Sequence, residues 1–412
     1  MQNGLQWRHL CERKVESLRD RKENRVSSQK SRSKKLAWLA GIAIVCGIAY
    51  YGSQQTVKPV EPIVTTGQQG KRPDSLAAYA KSVMDKNHLA GAIGIVRNGK
   101  LTTVTSGMAD LKKRIPNSSK QVVYPIGSMQ KEITGAMVMQ VMREKAHTDQ
   151  AFSQDTKIAR WYPSLKHADQ VTVGNLLTHT SGYAVPTVEY ARHQEYTDLG
   201  AVAWTISKID TTDQLPAGSY IYSDVNFILL AGIIEKETGK SYSQNFYDRV
   251  AKPLKLTHTY IRQDLPKKLH LAVSYRYVDP NYYQRAISYA VPVSTQLPGA
   301  GNLVSTPADF YKIQLGLENG QLLTEEEFSK MTHLKAKKTL YSGGVYLKKH
   351  ETIHLAYGTL DKEHYGAYMQ LTADNKNGII MLINQRQQSE RKLKRIAFQI
   401  LKRIKARTFS LY

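Results

Sequence analysis

Cysteine is almost absent from this 412-residue chain. The only two cysteines are Cys11 and Cys46, so every residue after 46 belongs to a cysteine-free stretch. That stretch has no disulfide framework, no thiol nucleophile and no cysteine-ligated zinc site. The 12 histidines include no H-E-x-x-H pair, and we expect neither a metal nor a cofactor.

Acidic residues are also scarce. The chain has 34 Asp and Glu against 58 Lys and Arg, which gives a formal net charge of +24. With 41% hydrophobic and 22% charged residues, the composition is that of a folded globular protein. The positive charge favours an anionic neighbour, such as nucleic acid, a membrane surface or an anionic polymer.

One long uncharged run occurs near the N-terminus. Residues 36–51 read LAWLAGIAIVCGIAYY, and residues 1–35 before them carry eleven Lys and Arg against four acids. This pattern predicts a transmembrane signal-anchor at 36–52, with a basic cytoplasmic tail at 1–35. A cleaved signal peptide, lipid attachment at Cys46 and a buried core helix are the alternatives. The first lacks an A-x-A-like site, and the second lacks a lipobox.

Everything after the anchor is expected to lie outside the cell. Residues 53–72 are rich in Pro, Gly, Gln and Thr and read as a linker, and residues 73–407 form the predicted extracellular domain. Most of the excess positive charge falls after the cytoplasmic tail. An exported basic domain meets cell-wall phosphates or the outer membrane face, so we expect no nucleic-acid partner.

The two ends of the extracellular domain have similar patterns. A helix is predicted after Pro73-Asp74, and Asn98-Gly99 joins two β-rich runs as a hairpin. Near the other end, residues 378–384 form an apolar strand, and a basic helix is predicted at 388–407. With a mainly helical stretch at about 125–270 between them, these patterns predict an α/β fold whose sheet is built from both ends of the domain.

The sequence Gly127-Ser128-Met129-Gln130-Lys131 opens an apolar-faced helical pattern. Ser128 and Lys131 are three residues apart, so their side chains share one face of the first turn. A helix N-terminus stabilises an alkoxide, and a lysine shielded from water can act as base for a serine nucleophile. S-x-x-K occurs four times in the chain, but only this copy begins such a helix in the predicted extracellular domain.

A second element is Tyr222-Ser223-Asp224, which precedes a predicted helix from Asn226 to Thr238. A tyrosine on a tight loop before a helix can donate a hydrogen bond into a neighbouring cleft and relay a proton. A core tyrosine beside a helix cap is the alternative interpretation.

Seven blocks in this order resemble the penicilloyl serine hydrolases, the group of class C β-lactamases and D-alanyl-D-alanine carboxypeptidases. The blocks are IGIVRNGKL (93–101), YPIGSMQKEITG (124–135), VTVGNLLTHTSGY (171–183), LPAGSYIYSDVNFILLAGIIEKETGKSY (215–242), KPLKLTHT (252–259), GAGNLVSTPADF (299–310) and GIIMLIN (378–384). The resemblance covers residues 73 to about 405. It implies a β-lactamase-like helix/antiparallel sheet/helix sandwich with an inserted all-helical region.

The same resemblance implies roles for four residues. Ser128 would be the acylated nucleophile, Lys131 its base and Tyr222 the acid that protonates the leaving group. Asp224 stands where related proteins more often have Asn. A carboxylate there would contact the substrate, and it would keep Lys131 more cationic or shift base duty to Tyr222.

The third family motif, Lys/His-x-Gly, matches less well. It corresponds either to Ala356-Tyr357-Gly358 or to a shifted alignment that uses His354. In the first alignment the cation that receives a substrate carboxylate is missing. Gly358 and Thr359 would then line the substrate site, and Thr359 would supply an oxyanion N–H.

With these departures, the sequence resembles FmtA-type teichoic acid D-alanine esterases. The acyl group of their substrate carries an ammonium and no carboxylate. The expected function is therefore D-alanyl ester hydrolysis on teichoic or lipoteichoic acid. A D-alanyl-D-alanine carboxypeptidase acting on peptidoglycan is one alternative, which a cation such as His354 or Lys362 opposite Ser128 would favour. A penicillin-binding-like sensor or scaffold without turnover is the other.

Three further features have two interpretations each. His179 is expected to be structural rather than catalytic. The tyrosines between residues 275 and 289 form either a surface loop or a polymer groove. The cations between residues 391 and 407 either bind wall phosphates or form a solvated helix face.

Overall fold

The computed structural model describes residues 75–185, 194–278, 281–334, 339–348, 353–358, 364–386 and 390–404. All of them lie in one unit, Thr66–Tyr412. The predicted tail, anchor and linker at 1–72 fall outside the described residues. Within the described ranges, no helix has both the length and the apolar character needed to cross a bilayer.

The described part of the chain alternates strands and helices. Its strands are β1 (Ala90–Arg97), β2 (Lys100–Ser106), β3 (Met108–Asp110), β4 (Ile115–Pro116), β5 (Val122–Pro125), β6 (Tyr260–Ile261), β7 (His270–Leu271), β8 (Ser274–Val278), β9 (Asn281–Ile287), β10 (Leu303–Ser305), β11 (Tyr341–Ser342), β12 (Val345–Lys348), β13 (Ile353–Tyr357), β14 (Gly366–Thr372) and β15 (Gly378–Arg386). Its α-helices are α1 (Leu76–Lys86), α2 (Gln130–Lys145), α3 (Val173–Leu177), α4 (Asp198–Asp210), α5 (Asp224–Thr238), α6 (Tyr242–Phe246), α7 (Val291–Ser294), α8 (Pro307–Glu318), α9 (Glu325–Thr332) and α10 (Glu390–Leu401).

The main sheet joins the two ends of the domain. Its strands run in the order β11-β12-β13-β14-β15-β1-β2, and each neighbouring pair is antiparallel. Ile93 of β1 lies opposite Met381 of β15. The predicted hairpin is confirmed, because Asn98 (φ 49°) and Gly99 (φ 75°) both adopt the left-handed conformation of a type I′ turn.

Helices cover both faces of this sheet, as predicted. Side chains alternate along β15, so Ile379, Met381 and Ile383 pack with α1 and α10, whereas Ile380 and Leu382 face the core that contains α2. Both faces of β15 are therefore buried, and the strand is apolar from Gly378 to Ile383. The predicted helix/sheet/helix sandwich is confirmed.

The middle of the chain contains α2 to α6, in agreement with the predicted helical insertion. A smaller sheet with the order β6-β10-β5-β7 lies in the same region, and its strand β5 leads directly to Ser128. One interpretation needs correction: the tyrosine-rich stretch is a β-hairpin, β8–β9, and β8 pairs in parallel with the end of β15. Tyr275 and Tyr277 of β8 are buried, whereas β9 is mostly exposed.

The predicted C-terminal helix is present. It covers Glu390–Leu401, and a 3₁₀ turn continues it to Ile404. Its buried face contains Leu393, Ile396 and Ile400, which pack in the core shared with α1. Residues 388–389 and 405–407 of the predicted helix fall outside the described residues.

Candidate active site

A sharp turn between a strand and a helix positions Ser128. Strand β5 ends at Pro125, Gly127 has a φ of +49°, and residues Gly127–Met129 form a 3₁₀ turn. The α-helix begins one residue later, at Gln130. Ser128 therefore lies in the turn that leads into α2, where the helix N-terminus directs partial positive charge toward it.

Gln130 fixes the start of α2 inside the protein. Its buried Nε2 donates to Asn302 Oδ1 at 2.7 Å and to the Tyr242 hydroxyl at 3.1 Å. Its Oε1 accepts a hydrogen bond from the Leu303 backbone N–H at 2.8 Å. These bonds attach the turn that carries Ser128 to the segment before β10 and to α6.

The structure brings Lys131 against Ser128. The Lys131 side chain is completely buried, and its Nζ donates to Ser128 Oγ at 2.7 Å. It also donates to Asp224 Oδ1 at 2.5 Å and to the Ala300 carbonyl at 3.2 Å. An ammonium has three N–H donors, and all three have acceptors here.

The charge state of Lys131 follows from these contacts. Burial lowers the pKa of the Lys131 ammonium, but the Asp224 carboxylate raises it by charge and hydrogen bonding, and the net shift is upward. Lys131 is therefore cationic in the resting site. This agrees with the expectation that a carboxylate at 224 keeps the lysine cationic.

Tyr222 also lies beside the Lys131 ammonium. Lys131 Nζ is 5.1 Å from the centre of the Tyr222 ring. Burial raises the pKa of the Tyr222 phenol, although the Lys131 charge and hydrogen bonds to Ser128 and Lys131 act in the opposite direction. Tyr222 is thus a neutral phenol that can donate a proton next to Ser128.

His179 holds the loop that carries Tyr222. Its backbone carbonyl accepts from the Ile221 N–H at 2.9 Å, and its Nδ1 contacts Asn226 Nδ2 at 3.0 Å. The ring is 4.3 Å from the Tyr222 ring. Burial, followed by the Lys131 charge, places the pKa of His179 well below its usual value, so the imidazole is neutral. These contacts match the structural role expected of it.

Two contributors to the site were missed by sequence reasoning. The Ala300 carbonyl is the third acceptor for Lys131, and the Tyr341 ring packs against both His179 and Tyr222. Ala300 belongs to the GAGN sequence at 299–302, one of the blocks that resemble the family. A search of that block for backbone acceptors would have found it. Nothing in the local sequence marks Tyr341, which reaches the site only because β11 is the edge strand of the main sheet.

The third motif meets the Ser128 turn at Gly358. A Cβ on Gly358 would lie 1.8 Å from the Ile126 carbonyl oxygen, so only glycine permits this close approach of two backbones. Thr359 and Lys362 fall outside the described residues. His354 belongs to β13, where it lies opposite Leu371.

A buried carboxyl group lies directly after Lys131. Glu132 is fully buried, and its Oε2 accepts from Gln314 Nε2 at 2.7 Å. Burial raises the pKa of Glu132 to about 7, with the Gln314 hydrogen bond acting against it. Burial and then the Glu132 charge raise the pKa of the nearby Glu318 to about 8.

Replacing Glu132 by glutamine should therefore change how stability depends on pH. The pKa of Glu132 is higher in the folded state than the usual 4.5. The protonated carboxyl therefore contributes stability that is fully present below about pH 4.5 and is lost as the pH rises through about 7. In Glu132→Gln, the fall in unfolding free energy between pH 4.5 and 8 should shrink by roughly 3 kcal/mol at most. Urea unfolding at both pH values measures this.

The matched control is Glu325→Gln, which changes an exposed glutamate on α9. It should leave the pH dependence unchanged. If Glu132→Gln and wild type lose the same stability over this pH range, the Glu132 carboxyl is not the group responsible.

The site places a lysine and a phenol beside a serine hydroxyl. These are the catalytic groups that acyl transfer requires. The sequence matches the Beta-lactamase family over residues 76–402. The chain belongs to this family. As a member, it is a serine hydrolase, and its helix/sheet/helix architecture is the β-lactamase-like fold.

Curated relatives include the teichoic acid D-alanine hydrolase of Staphylococcus aureus. It is 28% identical over 320 residues, which cover 76% of this chain and 75% of that protein. The corresponding protein of strain MRSA252 is 27% identical over 320 residues, with the same shares covered.

Solved structures share the fold. FmtA from Staphylococcus aureus superposes with a TM-score of 0.65 at 24% identity, covering 81% of this chain and 90% of that one. D-amino acid amidase from Ochrobactrum anthropi SV3 gives a TM-score of 0.66 at 19% identity, covering 80% and 99%. A penicillin-binding protein from Bacillus halodurans gives 0.62 at 20% identity, covering 77% and 98%.

Proposed function

We propose that this enzyme hydrolyses D-alanyl esters of teichoic or lipoteichoic acid through an acyl-enzyme on Ser128. The relative named teichoic acid D-alanine hydrolase supports this substrate class. The observation that carries the proposal is the Asp224 carboxylate, which lies 2.5 Å from Lys131 Nζ and is 23% exposed. A D-alanyl ester has a free ammonium and no carboxylate, so it suits a site with an accessible acid.

The first step forms the acyl-enzyme. Ser128 Oγ attacks the ester carbonyl carbon, and its proton passes to Lys131 Nζ, while the ammonium proton on the 2.5 Å hydrogen bond moves to Asp224 Oδ1. The pair thus accepts one proton in total, although Lys131 starts as an ammonium. The N–H groups at the Ser128 turn stabilise the oxyanion. Tyr222 then protonates the leaving alkoxide of the polymer as the C–O bond breaks.

The second step releases D-alanine. A water molecule attacks the acyl carbon, and its proton passes to the Tyr222 phenolate left by the first step. The bond from the acyl carbon to Ser128 Oγ breaks, and Ser128 recovers its proton from the Lys131 and Asp224 pair. The products are free D-alanine and a polymer hydroxyl, and every group returns to its starting protonation state.

The location belongs to the same proposal. A signal-anchor at 36–52 would hold the hydrolase at the outer face of the membrane, within reach of wall polymers. The uncharged run and the eleven cations of residues 1–35 support this orientation.

Release of D-alanine from purified D-alanylated lipoteichoic acid tests the function. The full chain should release D-alanine, Ser128→Ala should not, and the exposed-serine control Ser164→Ala should behave as wild type. If the wild type releases nothing from the polymer but cleaves D-alanyl-D-alanine muropeptides, the carboxypeptidase reading replaces ours. Inactivity on both substrates would favour the scaffold interpretation.

Asp224 makes a sharper prediction about substrate choice. In Asp224→Asn, KM for a D-alanyl ester should rise about tenfold, because a charged hydrogen bond to the substrate ammonium is lost. KM for the matching D-lactyl ester, which has a hydroxyl in place of the ammonium, should stay within about twofold of wild type. Steady-state kinetics on both esters measure the difference.

The same variant should also shift the pH profile. Without the carboxylate, burial dominates, and the pKa of Lys131 falls. The acidic limb of kcat should therefore move to lower pH. Equal changes in KM for both esters would show that Asp224 does not recognise the ammonium.

A further inference from the structure

Three segments with exposed cations meet at the end of β5 that lies away from Ser128. They are the turn between β3 and β4, the residues before β5 and the residues before β7. We call their exposed cations the basic patch, which consists of Lys112, Lys113, Arg114, Lys120, Lys267 and Lys268.

Hydrogen bonds hold these segments together. The His270 backbone N–H donates to the Gln121 carbonyl at 2.8 Å, which joins the residues before β7 to those before β5. Asp110 attaches the third segment, because its Oδ1 accepts from the Lys113 backbone N–H at 3.0 Å and its Oδ2 lies 3.3 Å from His270 Nε2. The cations therefore stand on a fixed frame.

The stretches that carry the basic patch contain no acids of their own. Residues 111–121 (LKKRIPNSSKQ) and 266–270 (PKKLH) contain no Asp or Glu. The neighbouring Asp110 is only 5% exposed and is already used within the frame. Among the described residues, none of the six cations forms an ion pair, whereas lysines elsewhere do. Examples are Lys81 with Asp85, Lys240 with Asp248 and Lys330 with Glu326.

We propose that the basic patch binds the phosphodiester backbone of the polymer whose esters the active site cleaves. This inference rests on the proposed function and adds a second contact remote from the reaction. Six like charges on connected segments repel one another, and a polyanion relieves that repulsion. Exposed lysines bind phosphate as point charges and place no demand on the order of the repeats.

The position of the basic patch fits a long ligand. Lys120 is eight residues before Ser128, and the four residues of β5 span half of that interval. At about 3.3 Å per residue, the two sites are on the order of 20 Å apart. A flexible polymer can occupy both, and binding at the basic patch then raises the effective concentration of its esters at Ser128.

Binding to lipoteichoic acid stripped of D-alanine tests the basic patch without catalysis. In the full chain carrying Ser128→Ala, the triple variant Lys113→Gln, Lys267→Gln, Lys268→Gln should bind roughly tenfold to hundredfold more weakly. The control triple Lys157→Gln, Lys166→Gln, Lys208→Gln removes the same charge from exposed positions in the helical region. It should lose less than about threefold. Equal losses in the two triples would overturn the proposal.

Micelles containing phosphatidylglycerol separate the polymer from a lipid surface. The two triple variants should bind these micelles equally. If the basic-patch variant lost affinity for the micelles but kept its affinity for the polymer, lipid headgroups, and not the polymer, would occupy the patch.

Kinetics with Ser128 intact distinguish this inference from the function on which it rests. The basic-patch variant should raise KM for D-alanylated lipoteichoic acid and leave KM for D-alanyl glycerol unchanged. If wild type hydrolyses neither substrate, the proposed function fails, and the binding measurement still decides the basic patch. If wild type is active and the basic-patch variant has unchanged KM on the polymer, only the inference fails.

Discussion

Replacing Lys131 by methionine should lower kcat/KM for a D-alanyl ester by about a thousandfold or more. Methionine keeps most of the side-chain length but has no proton to exchange. Lys131 Nζ contacts Ser128 Oγ at 2.7 Å and Asp224 Oδ1 at 2.5 Å. Loss of the ammonium therefore leaves Ser128 without a base and breaks the link between Ser128 and the Asp224 carboxylate. Single-turnover acylation measures the defect directly.

A second lysine provides the control for this substitution. Lys312 pairs with Asp309 at 3.0 Å on α8, and Lys312→Met should change kcat/KM by less than about twofold. Thermal unfolding of both variants shows whether the fold is retained. A folded Lys131→Met protein within about tenfold of wild-type kcat/KM would exclude Lys131 from proton transfer.

Replacing Gly358 by alanine should damage both stability and activity. The added Cβ would lie 1.8 Å from the Ile126 carbonyl oxygen and 3.1 Å from the Met129 backbone nitrogen. Both contacts are with backbone, so β13 and the Ser128 turn must separate. We expect a loss of about 3 kcal/mol in unfolding free energy and of roughly a hundredfold in kcat, because a displacement near 1 Å misplaces Ser128.

Gly301→Ala is the matched control. A Cβ on Gly301 would lie 3.4 Å from Leu297 Cδ1 and 3.8 Å from Gly127, which are ordinary contacts. That variant should lose less than about 1 kcal/mol and keep its kcat. Denaturant unfolding and steady-state kinetics cover both variants. Equal behaviour of the two alanine variants would mean that the backbone contact at Gly358 is not tight.

Local sequence chemistry predicted the parts of the fold that depend on neighbouring residues. Asn98-Gly99 predicted the hairpin because both residues tolerate a positive φ, and the three-residue spacing of Ser128 and Lys131 predicted their shared face. Gly239, with a φ of 69°, ends α5 at the predicted place.

Contacts between distant residues could not be read in this way. Asp224 meets Lys131 across 93 residues, and its position in the site follows from the resemblance rather than from spacing. The contribution of Tyr341 depends on the position of β11 at the edge of the sheet. The strand pairing of β8 with β15 has no local signal, because it joins strands more than a hundred residues apart.

The pairing of β1 with β15 also sets the order in which the domain can be completed. Ile93 of β1 pairs with Met381 of β15, so the centre of the sheet lacks β15 until the chain has been synthesised beyond that strand. Contacts of such large sequence separation slow folding and leave an open strand edge in the meantime. A working active site can therefore form only after β15 has left the ribosome and paired with β1.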